Sequence, residues 1–235
     1  LPRTGRSSQA TFPVVTGETG DPVEYRVIIA HRNRVLQTLK LRAVVGEPGS
    51  LSRKEEIVVR AALDDLDARS RFDLALIVNR TDAGKRAVTG IAGQRVGIWW
   101  KESYEGHITA LRNELEEIID EIGEDPGFPS EPMRQFLVGM AWHGAPLGKN
   151  LRDMLGDAWV GQAAPQRIQV VSADIEGYLP LELVYDLPVP NKDAKICRPA
   201  KNALKRGHCT ACRSRKPAEQ QKYVCPLGFW ALSKV

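Results

Sequence analysis

Four cysteines constrain this chain more than any other feature, because all of them fall within one short segment. They lie at positions 197, 209, 212 and 225, so a Cys-x-x-Cys pair stands between two flanking cysteines. The turn of such a pair directs two sulfurs toward one cation, and the flanking cysteines can complete a tetrahedron. Four protein thiolates leave no open coordination position. The spacing of Cys197, Cys209, Cys212 and Cys225 therefore predicts a structural zinc ion rather than a catalytic one.

The same segment concentrates the positive charge of the protein. The whole chain carries a formal net charge of +4, yet residues 192–222 contain ten basic residues and two acidic ones, so the rest of the chain is slightly acidic. Neighbouring cations favour the thiolate form of cysteine, which is the form that binds metal. The segment also has few residues that could build a core. A metal cross-link is therefore the expected source of its fixed shape.

Two disulfides, or unrelated buried thiols, are the alternatives to a metal site, and His208 is an alternative fourth ligand beside Cys209. Disulfides persist in oxidising compartments, and the polar start of the chain has no apolar stretch of the secretory kind. No apolar run approaches the roughly 20 residues that span a bilayer. The cytoplasm is therefore the expected location, with no membrane partner.

The N-terminal part of the chain predicts a tail over 1–22 and a β-rich module over 23–104. A hairpin is expected over 24–45 and further strands over 73–79, 86–91 and 94–100, because these stretches are rich in apolar and β-branched residues. Acidic residues following Ser50 and Ser52 predict one helix, which extends to Leu66.

The remainder, 105–235, predicts a helical segment followed by part of an α/β domain, giving an α+β chain overall. Apolar residues between Ile108 and Ile122 fall on one helix face. A second helix is expected from Ser130 to about Gly144, with a break or kink at Pro146 before a further helical piece. The apolar strand Arg167–Ser172 is expected to open a new α/β layer, and the cysteine-bearing insert spans 191–226.

Three short motifs in this part resemble one family. They are a helix with Leu147-Gly148, Leu151 and Leu155, the strand Ile168–Ser172, and Pro180-Leu-Glu-Leu-Val-Tyr-Asp186. In this order they resemble the N-terminal half of a bacterial CHAT-type, caspase-like domain, in which a Leu-Gly-x-x-Leu-x-x-x-Leu helix precedes a strand and a Pro-Trp-Glu-Leu-Leu-Tyr motif. Leu181 stands where the family has tryptophan.

The resemblance implies a cysteine peptidase of a bacterial defence or regulated-proteolysis system. In that family a catalytic histidine and then a cysteine follow the Pro-Trp-Glu-Leu motif, and nothing after Asp186 fits them. The chain is therefore expected to be inactive alone and to pair with a C-terminal catalytic half or another protein. His143-Gly144 has the form of the family's His-Gly, with Cys225 downstream. It falls inside a helical pattern, however, and is expected to be structural.

The basic residues support an alternative function. Lys201, Lys205, Arg206 and Arg213 are spaced so that they could bind nucleic-acid phosphates, and Tyr223 or Trp230 could stack on bases. A scaffolding role for the β-rich module also stays open.

Overall fold

The computed structural model describes residues 11–59, 66–80, 84–100, 105–122, 128–156, 167–174, 177 and 179–233. This part of the chain contains both helices and strands, and the strands form several sheets. The predicted α+β class is therefore confirmed. None of the described helices combines the length and apolar character needed to cross a bilayer.

The first sheet has three antiparallel strands, β1 (Pro22–His31), β2 (Arg34–Val44) and β3 (Ser52–Val58), in the order β1-β2-β3. The predicted hairpin is confirmed, with Arg32 and Asn33 at its turn. Both turn residues have positive φ, at 52° and 57°. That geometry is the two-residue turn whose twist matches the flanking strands.

The prediction of a helix over 52–66 is wrong for the first half of that range, because the residues there form β3. The acidic residue that suggested a first helical turn is instead a cross-strand partner: Glu56 pairs with Arg26 at 2.6 Å and with Lys40 at 3.4 Å. Cross-strand contacts of this kind override weak helix propensity. Residues 60–65 of the expected helix lie outside the described residues.

The second sheet has four strands: β4 (Leu74–Arg80), β5 (Arg86–Ala92), β6 (Arg95–Trp100) and β7 (Ile168–Ser172). Their order is β6-β5-β4-β7, and β7 pairs in parallel with β4. The expectation that β7 opens a separate layer is therefore wrong. Because β4 is buried from Leu74 to Val78, it needs a neighbour on each edge, and β7 is one of them. The sheet thus contains strands from before and after residue 104, where the sequence suggested a domain boundary.

Two long helices follow, α1 (Glu105–Ile122) and α2 (Glu131–Leu155); α2 packs on β5 and β6 of this sheet, and α1 packs on α2. Ser130 caps α2 by accepting a hydrogen bond from the Met133 amide. The predicted break at Pro146 is wrong, because α2 continues through it to Leu155. The buried face that follows the proline, including Leu147 and Leu151, supports the helix through its packing.

The layers are therefore a three-stranded sheet, a four-stranded sheet and a helical layer. Residues Ala75, Ile77 and Ile91 face β2 between the two sheets. Leu74, Leu76 and Val78 face the helices in a larger core.

The C-terminal segment consists of short elements that pack on this helical core. They are β8 (Lys195–Ile196), α3 (Ala200–Arg206), α4 (Thr210–Arg213), α5 (Pro217–Gln220), β9 (Tyr223–Val224) and α6 (Trp230–Ser233). Such short elements bury little surface of their own, so something besides secondary structure must hold them together.

Candidate metal centre

All four cysteine sulfurs meet at one buried point. They lie within 4.8 Å of one another, and every one of the four residues is buried. The Cys197 sulfur is 3.7 Å from that of Cys209 and 3.1 Å from that of Cys212. A tetrahedral zinc–thiolate centre has sulfur–sulfur distances of about 3.8 Å, since its Zn–S bonds are about 2.3 Å. The cluster could therefore hold a metal ion with small adjustments.

The two outer cysteines are brought together by a pair of parallel strands. Cys197 follows β8 and Cys225 follows β9, and these strands pair with Lys195 opposite Tyr223. The Cys197 amide donates a hydrogen bond of 2.9 Å to the Val224 carbonyl. Two residues that are far apart in the sequence thus stand side by side.

The inner pair sits on a single turn of helix. Cys209 precedes α4 and Cys212 lies within it, so the turn places both sulfurs on one side. Gly207 ends α3 with φ of 70°, a left-handed conformation that lets the chain reverse before Cys209. The Gln220 side chain donates a hydrogen bond of 2.8 Å to the Cys212 carbonyl, which fixes the end of the turn.

Arg215 places a positive charge against the sulfurs. Its guanidinium Nη1 lies 3.6 Å from the Cys212 sulfur, and its carbon lies 4.1 Å from the centre of the Tyr223 ring. Partial burial lowers the pKa of Arg215, but the charges of Cys212 and Cys197 and a hydrogen bond to Cys197 together outweigh it, and the pKa is raised. The guanidinium therefore stays charged and offsets part of the negative charge of the cluster.

Because the four sulfurs lie close together, the pKa values of the thiols differ from one another. Hydrogen bonds from Cys212 and Cys225 to the Cys197 sulfur lower the pKa of Cys197. Donating a hydrogen bond to Cys197 raises the pKa of Cys212 and of Cys225. Like charges this close cannot all ionise unaided. A divalent cation would supply the charge needed to hold four thiolates together.

Tyr185 connects the four-cysteine cluster to the Pro180–Asp186 element. Its side chain is fully buried, and its hydroxyl oxygen accepts a hydrogen bond of 3.2 Å from the Cys225 amide. Burial raises the pKa of Tyr185, so the hydroxyl stays protonated. The ring packs 4.9 Å from that of Phe229 and leaves no room for a side chain at Gly228.

We expect Tyr185→Phe to destabilise the protein by about 1–2 kcal/mol, because the buried Cys225 amide loses its acceptor while the ring packing is kept. Chemical denaturation with the metal bound measures this loss. Tyr223→Phe is the matched control, with a change within about 0.5 kcal/mol. Equal stability of the two variants would contradict a role for the Tyr185 hydroxyl.

The two histidines that the sequence suggested as site residues lie outside the sulfur cluster. His208 is exposed and stands outside the sulfur cluster, with Nδ1 3.0 Å from the Arg206 carbonyl oxygen. His143 lies within α2, as its helical pattern predicted, with Nε2 3.9 Å from a Glu114 carboxylate oxygen. Its ring is 6.0 Å from that of His107, and burial lowers the pKa of both histidines.

Sequence reasoning identified the four sulfurs but missed what surrounds them. The gathering of the cysteines excludes unrelated buried thiols, and all four are free rather than in disulfides. Tyr185 was missed, because a buried hydroxyl 40 residues from its partner leaves no local signal. Arg215, in contrast, is one of the cations that were expected to favour the thiolates.

Family models, curated proteins and solved structures were all compared with the chain, and none of them matches it.

Proposed function

We propose that the four cysteines bind one zinc ion and that its role is structural. The observation that carries this proposal is a buried set of four sulfurs within 4.8 Å of one another. A thiolate-only donor set favours zinc over harder cations such as magnesium or calcium. When bound, zinc would neutralise the thiolates and cross-link β8, α4 and β9. Reduced thiols of this kind suit a cytoplasmic protein.

We further propose that the chain is the N-terminal part of a bacterial CHAT-type, caspase-like cysteine peptidase that acts in defence or regulated proteolysis. The support is that two of the three motif elements, α2 and the Pro180–Asp186 element, pack against each other. A Cβ at Gly148 of α2 would lie 2.8 Å from the Tyr185 carbonyl oxygen, and Gly144 makes a similarly close approach to Leu183.

On this proposal the chain contributes no catalytic dyad. All four of its cysteines belong to the metal cluster, and a thiolate bound to zinc in a closed site is not free to attack a peptide. The nucleophile and its histidine would come from a partner, either a C-terminal half or another protein. His143 would then act in helix packing beside Glu114.

The test compares the 235-residue chain with the product of the reading frame continued beyond Val235. Both are incubated with a fluorogenic peptide library that varies the residue before the cleaved bond, and with a peptidyl acyloxymethyl ketone that alkylates catalytic cysteines. The 235-residue chain should neither cleave nor be labelled. The longer product should be labelled at a cysteine outside the cluster, with cleavage lost when that cysteine becomes alanine.

Two results would contradict this proposal. One is labelling of Cys225 with cleavage by the 235-residue chain, which would place the nucleophile in this chain and overturn the assignment of the catalytic dyad to a partner. The other is a continued reading frame that encodes no strand ending in His-Gly and no later strand ending in cysteine. Zinc measured by native mass spectrometry tests the metal proposal separately, because a metal-bound chain without peptidase features would leave that proposal intact.

A further inference from the structure

A compact cationic surface lies on α3, next to the metal cluster. Ala200 and Ala203 face inward and are buried, whereas Lys201, Lys205 and Arg206 are exposed. At about 100° per residue these three side chains lie within an arc of about 140°, with Lys201 and Lys205 opposite the two alanines and Arg206 at the edge of the arc. We call these three residues the basic face.

Within the described part of the chain, the basic face lacks the acidic partners that usually accompany surface lysines and arginines. Among the described residues, no carboxylate lies within ion-pair distance of Lys201, Lys205 or Arg206. Glu219, one of the two acidic residues of the segment, pairs instead with Lys222 at 3.1 Å. Unbalanced charge of one sign attracts polyanions and releases their counterions.

The metal cluster would hold the basic face in a fixed position. Cys197 stands before α3 and Cys209 follows it, so both ends of this helix are tied to the same centre. The buried alanines also pack in the core that contains Tyr185 and the cysteines. The cations are therefore presented on a rigid support rather than on a loose tail, and less ordering cost is paid on binding.

The aromatic residues of the segment are not placed for base stacking. Trp230 is only 4% exposed, so the expectation that it stacks on bases is wrong. Tyr223 is half-buried and has the Arg215 guanidinium over its ring. Proteins that prefer single strands need accessible rings. A surface with cations and no such ring contacts phosphates and carries no direct sequence readout.

We propose that the basic face binds the phosphate backbone of duplex nucleic acid without reading its sequence. This function is independent of the proposed peptidase and depends on the metal-bound fold. Contacts from Lys201, Lys205 and Arg206, with nearby Arg198, would neutralise about four phosphates. The slope of log affinity against log salt concentration would then be about −3 to −4, or a loss of about 100-fold between about 50 and 200 mM salt.

Fluorescence anisotropy of the zinc-loaded chain with labelled duplexes of about 24 base pairs tests this proposal. Two unrelated sequences should bind equally, and a single strand of the same length should bind more weakly. The triple variant Lys201→Glu, Lys205→Glu and Arg206→Glu should bind at least 30-fold more weakly and lose most of the salt dependence. The side chain of Arg213, the fourth residue expected to bind phosphate, lies outside the part of the chain that the structure describes.

The matched control is Arg53→Glu, Lys54→Glu and Arg112→Glu, three exposed cations elsewhere with the same change in net charge. It should retain binding within about threefold, because charges beyond the Debye length of about 10 Å are screened. Circular dichroism and zinc content establish that both triple variants fold. The proposal is wrong if no duplex binds at 50 mM salt, if both triple variants lose binding equally, or if polyglutamate binds as tightly as the duplex, which would indicate an acidic protein partner.

Discussion

Cys212→Ser should release the bound metal and unfold the C-terminal segment, with the largest effect of any single substitution considered for this chain. Cys212 contributes a sulfur 3.1 Å from that of Cys197, at the centre of the cluster. A serine hydroxyl is a poor ligand for a thiolate-preferring ion, and three cysteines would be left crowded without their cation. Loss of a structural metal belongs to the few mechanisms that cost more than about 4 kcal/mol.

The loss of structure in this variant should affect the C-terminal segment before it affects the rest of the protein. The short elements from β8 to β9 depend on the cluster, whereas β1 to β7 pair in two sheets of their own and share a core between those sheets that contains no residue of the C-terminal segment. Hydrogen exchange should therefore increase over residues 195–229 first, with protection in β4 and β5 retained. Thermal unfolding should begin at least about 10 °C lower, since 1 kcal/mol corresponds to about 2–4 °C in a chain of this size.

Native mass spectrometry and differential scanning calorimetry measure these effects together. Thr210→Ala, an exposed neighbour in the same helical turn, is the control and should keep one zinc ion and the melting temperature. Removing zinc from the unsubstituted chain with a chelator should reproduce the behaviour of Cys212→Ser. A chain that is metal-free and equally stable would show that the sulfur cluster is not a metal site.

The sequence predicted the gathering of the four cysteines better than it predicted the sheets, and the reason is physical. Cysteine spacing constrains a site locally, because one turn and two flanking residues suffice to surround an ion. Sheet pairing depends on partners far away in the chain. Thus β7 was found as a strand, but its parallel pairing with β4 required residues 74 and 168 to meet.

Errors arose where long-range contacts outweigh local preference. The strand β3 has the acidic pattern of a helix start, yet Glu56 forms ion pairs with Arg26 and Lys40 on other strands. Pro146 is a helix breaker in isolation, yet α2 continues because its following turns are buried. In both cases tertiary packing, which a single sequence does not display, decides the outcome.

The packing of α2 on the Pro180–Asp186 element leads to the second large prediction, that Gly144→Ala destabilises the protein by about 3 kcal/mol. Alanine normally stabilises a helix interior relative to glycine by about 1 kcal/mol. At this position the added Cβ would overlap the Leu183 carbonyl oxygen and press on the Tyr185 backbone, whose amide donates a hydrogen bond of 3.1 Å to the Gly144 carbonyl. The clash involves backbone atoms, which cannot rotate away.

Gly106→Ala is the matched control, because Gly106 also lies in a helix but a Cβ there would meet nothing within 4 Å. It should leave stability unchanged or raise it by up to about 1 kcal/mol. Gly144→Ala should instead lower the melting temperature by about 6–12 °C, measured by calorimetry with zinc bound. Because the Tyr185 hydroxyl accepts a hydrogen bond from the Cys225 amide, displacement of Tyr185 should also make zinc easier to remove with a chelator. Equal stabilisation by both alanines would mean that α2 and the Pro180–Asp186 element do not pack closely, and would remove the main structural support for the peptidase proposal.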